Sequence, residues 1–179
     1  MRQNERVIRL PATAYAALIS VCAVVACVAL PQVFHLLGRW TGVGTALGEM
    51  LLPMHLPVML AGLLAGPVAG LTAGAISPFI SFSLTTMPGA AMVPFMMVEL
   101  AVYGLSAGLL RGHKMPTVCK VLIAQVAGRL VRALVLVAAV SMELTRLPIS
   151  LIWTSITVGV AGILLQLVLI PVLLRAVRR

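Results

Sequence analysis

Three long stretches of the chain carry no Asp, Glu, Lys or Arg: Leu10 to Gly38, Met50 to Val98, and Leu147 to Leu174. A bilayer core of roughly 30 Å is crossed by about 20 helical residues. The middle stretch is too long for one crossing, and the turn-forming pair Gly66-Pro67 divides it. With the apolar runs around Glu99 and Arg129, the pattern predicts six spans, at 11–34, 48–65, 68–86, 90–110, 119–141 and 150–174. The fold class is an all-α integral membrane protein. It is a compact bundle of six transmembrane helices, one domain over residues 1–179, with the lipid bilayer as its surroundings.

Composition strengthens that reading. Hydrophobic residues make up 61% of the chain and charged residues 9%, against about 25% charged in ordinary soluble domains. Lys and Arg number 13 against 4 Glu and no Asp, a net charge of +9. Such an excess can mark a nucleic-acid binder, but aromatic residues at 4% are too few for a base-stacking surface. No nucleic-acid partner is expected. The positive-inside rule accounts for the charges instead. Six spans put Arg2, Arg6, Arg9, Arg111, Lys114, Lys120, Arg175, Arg178 and Arg179 on one side, and only Arg39 and Arg146 on the other. Both termini are therefore expected to be cytoplasmic. The first apolar run is too long for a cleaved signal core, so a retained first helix is expected.

Small residues describe how the spans pack. Gly62, Gly66, Gly70 and Gly74 recur every four residues, and Gly104 and Gly108 repeat the spacing. In lipid this lets helix backbones approach closely. Pro67 is expected to break the first series into two helices. Pro53, Pro57 and Pro78 kink or break spans, and His55 lies between the first two in an irregular segment. Cys22, Cys27 and Cys119 form no C-x-x-C pair, so neither a metal site nor a redox motif is expected.

Ionisable groups inside a membrane are costly and mark functional sites. Glu99 lies roughly 14 Å from the outer start of the fourth span, and Arg129 roughly 15 Å from the inner start of the fifth. Both reach mid-bilayer, so a Glu99–Arg129 ion pair is expected, either as a structural tie or as one wall of a ligand site. Gln125, Arg129 and Arg132 follow at i, i+4 and i+7 on one face. Two arginines against one glutamate leave a positive excess that an anionic ligand such as a carboxylate would complete. Arg132 alternatively snorkels to the outer headgroups. Tyr103 shares the face of Glu99. Trp153 is either an interfacial belt residue or an apolar wall with one donor. His35 and Glu49 flank the first outer loop and read as solvated. Gln166 reads as a helix–helix hydrogen bond, and Met87, Met92, Met96 and Met97 as an adaptable lining or as core.

What is missing also bears on function. There is no phosphate-binding loop with Lys-Ser/Thr, no H-E-x-x-H and no nucleophile elbow. The chain is not expected to be an enzyme or to bind a cofactor.

Three segments carry a family resemblance. The first is Leu52-Pro53-Met54-His55-Leu56-Pro57-Val58 with Ala61-Gly62-Leu63-Leu64-Ala65-Gly66-Pro67. The second runs from Ile76-Ser77-Pro78 through Thr86-Met87-Pro88-Gly89 into Val98-Glu99-Leu100-Ala101-Val102-Tyr103-Gly104. The third is Gly128-Arg129-Leu130-Val131. Over residues 50 to 132 they resemble the substrate-binding S components of energy-coupling factor (ECF) vitamin importers; the first and last helices match by hydropathy and length alone.

The resemblance implies a six-helix bundle with both ends cytoplasmic, in the bacterial cytoplasmic membrane. It implies one water-soluble vitamin bound near the outer face, within helices four to six and the outer loops. It implies an energy-coupling transmembrane subunit and two ATPases as partners, and a bundle that topples to release its substrate inside. An alanine-rich face on helix one docks on the partner in this family, and Ala12 and Ala16 fit it. The candidate substrate-binding set is Glu99, Tyr103, Gln125, Arg129, Arg132, Trp153 and His55. The anion argument favours pantothenate, followed by lipoate or a folate-like compound, with a neutral B6 vitamin if Glu99 and Arg129 merely pair. The alternatives are a stand-alone carrier or channel, which would want inverted repeats not evident here, and a membrane enzyme or assembly factor.

Overall fold

A computed structural model of the protein describes residues 11–177. The tail arginines Arg2, Arg6, Arg9, Arg178 and Arg179 lie outside the described residues. Seven helices follow one another: α1 (Ala12–Trp40), α2 (Ala46–Leu51), α3 (His55–Ala65), α4 (Pro67–Thr85), α5 (Val93–Leu109), α6 (Thr117–Ser141) and α7 (Leu151–Val177). Short 3-10 turns at Ala90–Met92 and Leu110–Gly112 extend α5 at both ends. Counting α2 with α3, six segments among the described residues are long and apolar enough to cross a membrane.

Most boundaries fall within three residues of those read from the hydrophobic pattern. The first does not. Pro31 is accommodated inside α1, which runs on to Trp40. The helix stops where Gly42 and Gly44 take positive φ of 78° and 61°, conformations that glycine adopts at little cost. His35 therefore sits on a helix rather than beside a loop. The second span is interrupted as the proline pair suggested. Leu52 ends α2 in the left-handed conformation, with φ 50°, and α3 starts afresh at His55.

The glycine series form one seam. Gly66 turns the chain with φ 101°, and Pro67 opens α4, where its missing N–H is not needed. Beyond this turn α4 lies against α5. A Cβ on Gly70 would strike the carbonyl of Gly104, one on Gly74 the carbonyl of Leu100, and one on Gly108 the backbone of Pro67. Gly62 of α3 meets the same stretch of α5, against Gly104 and Gly108. The inner faces of α3 and α5 then meet α1, α6 and α7 in a core that includes Cys27, Met59, Leu63, Leu100, Tyr103, Val121 and Ile170. Apolar side chains on the outward faces, such as Val68, Leu134 and Val168, are exposed, as expected of surfaces that face lipid.

The two ends of the bundle differ. One gathers the 65–67 turn and the α5–α6 connection, with Arg111, Lys114 and Lys120, and the end of α7 with Arg175. There the buried Lys120 ammonium donates to the Arg111 carbonyl at 2.9 Å, covering a carbonyl at the end of the turn. At the opposite end the helices splay around a cavity.

Candidate functional site

The cavity has a volume of about 410 Å³, within the usual range of small-molecule sites. Its walls come from Pro31 and His35 on α1 and Glu49 on α2. The broken segment Leu52-Pro53-Met54-His55 adds another side. Ser81 of α4, the Met87-Pro88-Gly89 turn, Met92 of the following 3-10 turn, and Met96 and Glu99 of α5 continue the wall. Arg132 of α6 and Leu151, Thr154, Ser155 and Val158 on one face of α7 complete it.

The polar floor is built by α5 and α6. Arg132 Nη1 lies 2.9 Å from Glu99 Oε2, and the Tyr103 hydroxyl donates to Glu99 Oε1 at 2.7 Å. The Tyr103 ring packs on His55, with ring centroids 5.1 Å apart. Gly128 makes this possible, since a Cβ there would strike the Tyr103 ring. Glu99 is 1% exposed and the Arg132 side chain 12%. The carboxylate thus has a partner for each oxygen, as a buried charge requires.

The expected Glu99–Arg129 pair is not formed, and helical rotation explains why. Gly128 faces α5, and Arg132, four residues on, shares that face. Arg129 is turned about 100° away, toward α7, where its Nη1 donates to the Ser155 carbonyl at 3.3 Å. Its Nε is buried without a hydrogen-bond partner, and no carboxylate pairs with it among the described residues. Arg129 lines a small annex of about 10 Å³ between α6 and α7, shared with Glu99, Arg132 and Ser155.

Gln125 faces α7 as well. Its Nε2 donates to Gln166 Oε1 at 3.0 Å, and Gln166 Nε2 donates to the Leu52 carbonyl at 3.2 Å. The same carbonyl accepts the His55 N–H at 3.1 Å. This chain holds the left-handed Leu52 against α7, where Gly162 leaves room for Met50 and Leu51. It positions His55 from behind.

Of the residues singled out in the sequence, Glu99, Arg132 and His55 line the cavity. Tyr103 supports Glu99 and His55 from the core. Arg129 borders the annex, and Gln125 lies away from the cavity. Trp153 is 71% exposed and is not part of the lining. His35 and Glu49, read as solvated residues flanking the first outer loop, both line the cavity, His35 half-buried and Glu49 exposed. His35 packs against Gly48, whose Cβ would strike the imidazole, and its Nδ1 is buried without a partner among the described residues. The missed signals are the glycines that stop α1 late and the i, i+3, i+4, i+7 recurrence of Leu151, Thr154, Ser155 and Val158.

A bundle of six spans with a polar-floored cavity at one end is suited to capturing a small solute. The family model described as "ECF transporter, substrate-specific component" matches residues 14–174. The chain belongs to that family. It is thus a multi-pass membrane subunit that binds the small-molecule substrate of an ECF transporter. Substrate-specific components are transport subunits that work with a transmembrane energy-coupling partner and ATPases. No curated protein and no solved structure matches the chain.

Proposed function

We propose that this substrate-specific component captures a water-soluble vitamin bearing a carboxylate, with pantothenate favoured over lipoate, a folate-like compound or a B6 vitamin. The observation that carries the reading is the charge count at the annex beside the cavity floor: two guanidiniums, Arg129 and Arg132, against the single carboxylate of Glu99. Guanidinium groups stay charged in proteins. An unmatched charge in a partly buried site is costly, and a ligand carboxylate supplies the missing partner with a charge-assisted hydrogen bond. The neutral-vitamin reading needed Glu99 and Arg129 to satisfy each other, and Glu99 is committed to Arg132 instead.

Arg132 is the direct anchor in this scheme, because it lines both the cavity and the annex. Arg129 supplies the excess charge from beside it. Glu99 and Tyr103 hold Arg132 in place, while His55 forms part of the adjoining wall. The cavity opens to the outside and both termini lie in the cytoplasm of a bacterial cell. Support comes from Arg111, Lys114, Lys120 and Arg175 at the end opposite the cavity. Residues 1–179 act as one domain. Ala12 is exposed on α1 and Ala16 half-buried, and this face docks on the energy-coupling subunit. Two ATPases drive the cycle.

The test is mass spectrometry of small molecules released from the detergent-purified protein, followed by equilibrium binding of the compound found. One carboxylate-bearing vitamin at about one per chain is the expected result. A stoichiometric neutral vitamin, or no binding of any of the named acids, would overturn the reading.

A further inference from the structure

The floor accounts for one end of a ligand. The opposite wall carries polar groups that the carboxylate reading does not use. His35 lies five residues before the end of α1, roughly 7 Å from the end of that helix, whereas Arg132 lies nine residues before the end of α6, roughly 14 Å from its end. Glu49 comes from α2, next to the glycine on which His35 rests. The rest of the cavity lining is largely apolar, with Met87, Met92 and Met96 from one part of the chain and Leu151 and Val158 from α7. The cavity therefore has two polar poles, of different chemistry, on different walls.

The outer pole matches a hydroxyl. His35 Nδ1 is sealed against Gly48 without a partner. The other ring nitrogen, Nε2, is not sealed in this way. That nitrogen has no protein partner among the described residues and is the one left to a ligand. Glu49 is exposed at the cavity and, apart from one bond at 3.3 Å from the Thr45 hydroxyl, its carboxylate is free to accept. An imidazole nitrogen, which can donate, and a carboxylate, which accepts, in the lining of one cavity suit a group that both accepts and donates, which is what an alcohol does. The same carboxylate repels the acid end of the ligand and so directs it to the arginines.

Resting on the carboxylate reading, we infer that His35 and Glu49 form a hydroxyl-recognising pole. The substrate class is then a hydroxylated carboxylic acid with an apolar middle, rather than an acid with an apolar tail. Pantothenate, with its hydroxyls remote from the carboxylate, has this form. Lipoate, whose far end is an apolar dithiolane, does not.

The test is equilibrium binding of pantothenate and of lipoate to the purified full chain, in the native form and as Glu49→Gln and His35→Phe. The phenyl ring keeps an aromatic ring against Gly48, Glu49 is exposed, and thermal melting checks that both variants remain folded. The native protein is expected to prefer pantothenate by at least about tenfold, because a site built to bond a hydroxyl discriminates against analogues lacking one. Each variant is expected to lose most of that preference. Tighter lipoate binding, or a preference unchanged in both variants, overturns the hydroxyl pole and leaves the carboxylate reading standing. Failure of both acids to bind overturns the hydroxyl pole, and failure of the folate-like acid as well overturns the carboxylate reading with it.

Discussion

Arg132 and Glu99 form an ion pair of 2.9 Å at the floor of the cavity, joining the middle of α6 to the middle of α5. Removing one member of a buried pair costs about 3–5 kcal/mol, because it strands the other charge. Glu99→Gln should therefore lower the melting temperature of the empty protein. It should also enlarge the stabilisation produced by pantothenate, since the ligand carboxylate then becomes the main counter-charge of Arg132. Thermal melts with and without ligand measure both effects, and a smaller ligand shift in the variant would argue against an anion at this position.

Arg129 and Arg132 should behave differently on replacement. Among the described residues Arg129 bonds only a backbone carbonyl, so Arg129→Gln is expected to fold and to bind the acid at least about tenfold more weakly. Arg132→Gln breaks the Glu99 pair and should lose stability as well as affinity. Comparing melting temperature with dissociation constant separates the two. Equal loss of stability in both variants would show that Arg129 is a structural tie.

The glycine seam gives a sharp packing prediction. Gly104→Val places a branched side chain on the backbone of Gly70, and the helices cannot separate without losing contact along the seam. The variant is expected not to yield a monodisperse bundle in detergent. Gly112→Ala is the matched control, because nothing lies within 4 Å of its added methyl. Size-exclusion profiles of the two proteins are the readout.

The glutamine chain should show strong non-additivity. Gln166→Leu leaves Gln125 buried without a partner, and an unsatisfied group of this kind costs about 1–3 kcal/mol. Gln125→Leu added to Gln166→Leu removes the stranded partner, so the double variant is expected to be no less stable than the single one. Chemical or thermal unfolding of the four-member cycle tests this.

Ala12→Trp is expected to leave vitamin binding intact and to stop uptake in cells that carry the whole transporter, by blocking the docking face of α1. Loss of binding in the isolated chain would instead tie residue 12 to the cavity.

The crossings are legible in the sequence because a membrane imposes a long run without charge, and such runs are hard to produce by accident. The interruption around His55 is legible because two prolines bracket it. The partner of Glu99 is not. Arg129 and Arg132 lie at similar depth, and depth is all that hydropathy reports. What decides between them is rotation about α6, set by Gly128 seating the Tyr103 ring. Spacing alone put Gln125, Arg129 and Arg132 on one face, yet that face spans two neighbours: the first two meet α7 and the third meets α5. His35 and Glu49 escape notice because a histidine and a glutamate near the end of a span look like solvated residues. Only the late stop of α1 brings them to the cavity.

The close backbone seam on α5 runs through the Leu100 carbonyl, Gly104 and Gly108, while Met96 and Glu99 on the same helix belong to the cavity. One helix thus divides its labour by length. The half in which Gly104 and Gly108 admit no Cβ does not line the cavity, and the half that lines the cavity is free of that restriction. Substitutions that retune the receptacle for a different nutrient can therefore accumulate without loosening the clamp. A scaffold arranged in this way can change what it carries and keep how it stands.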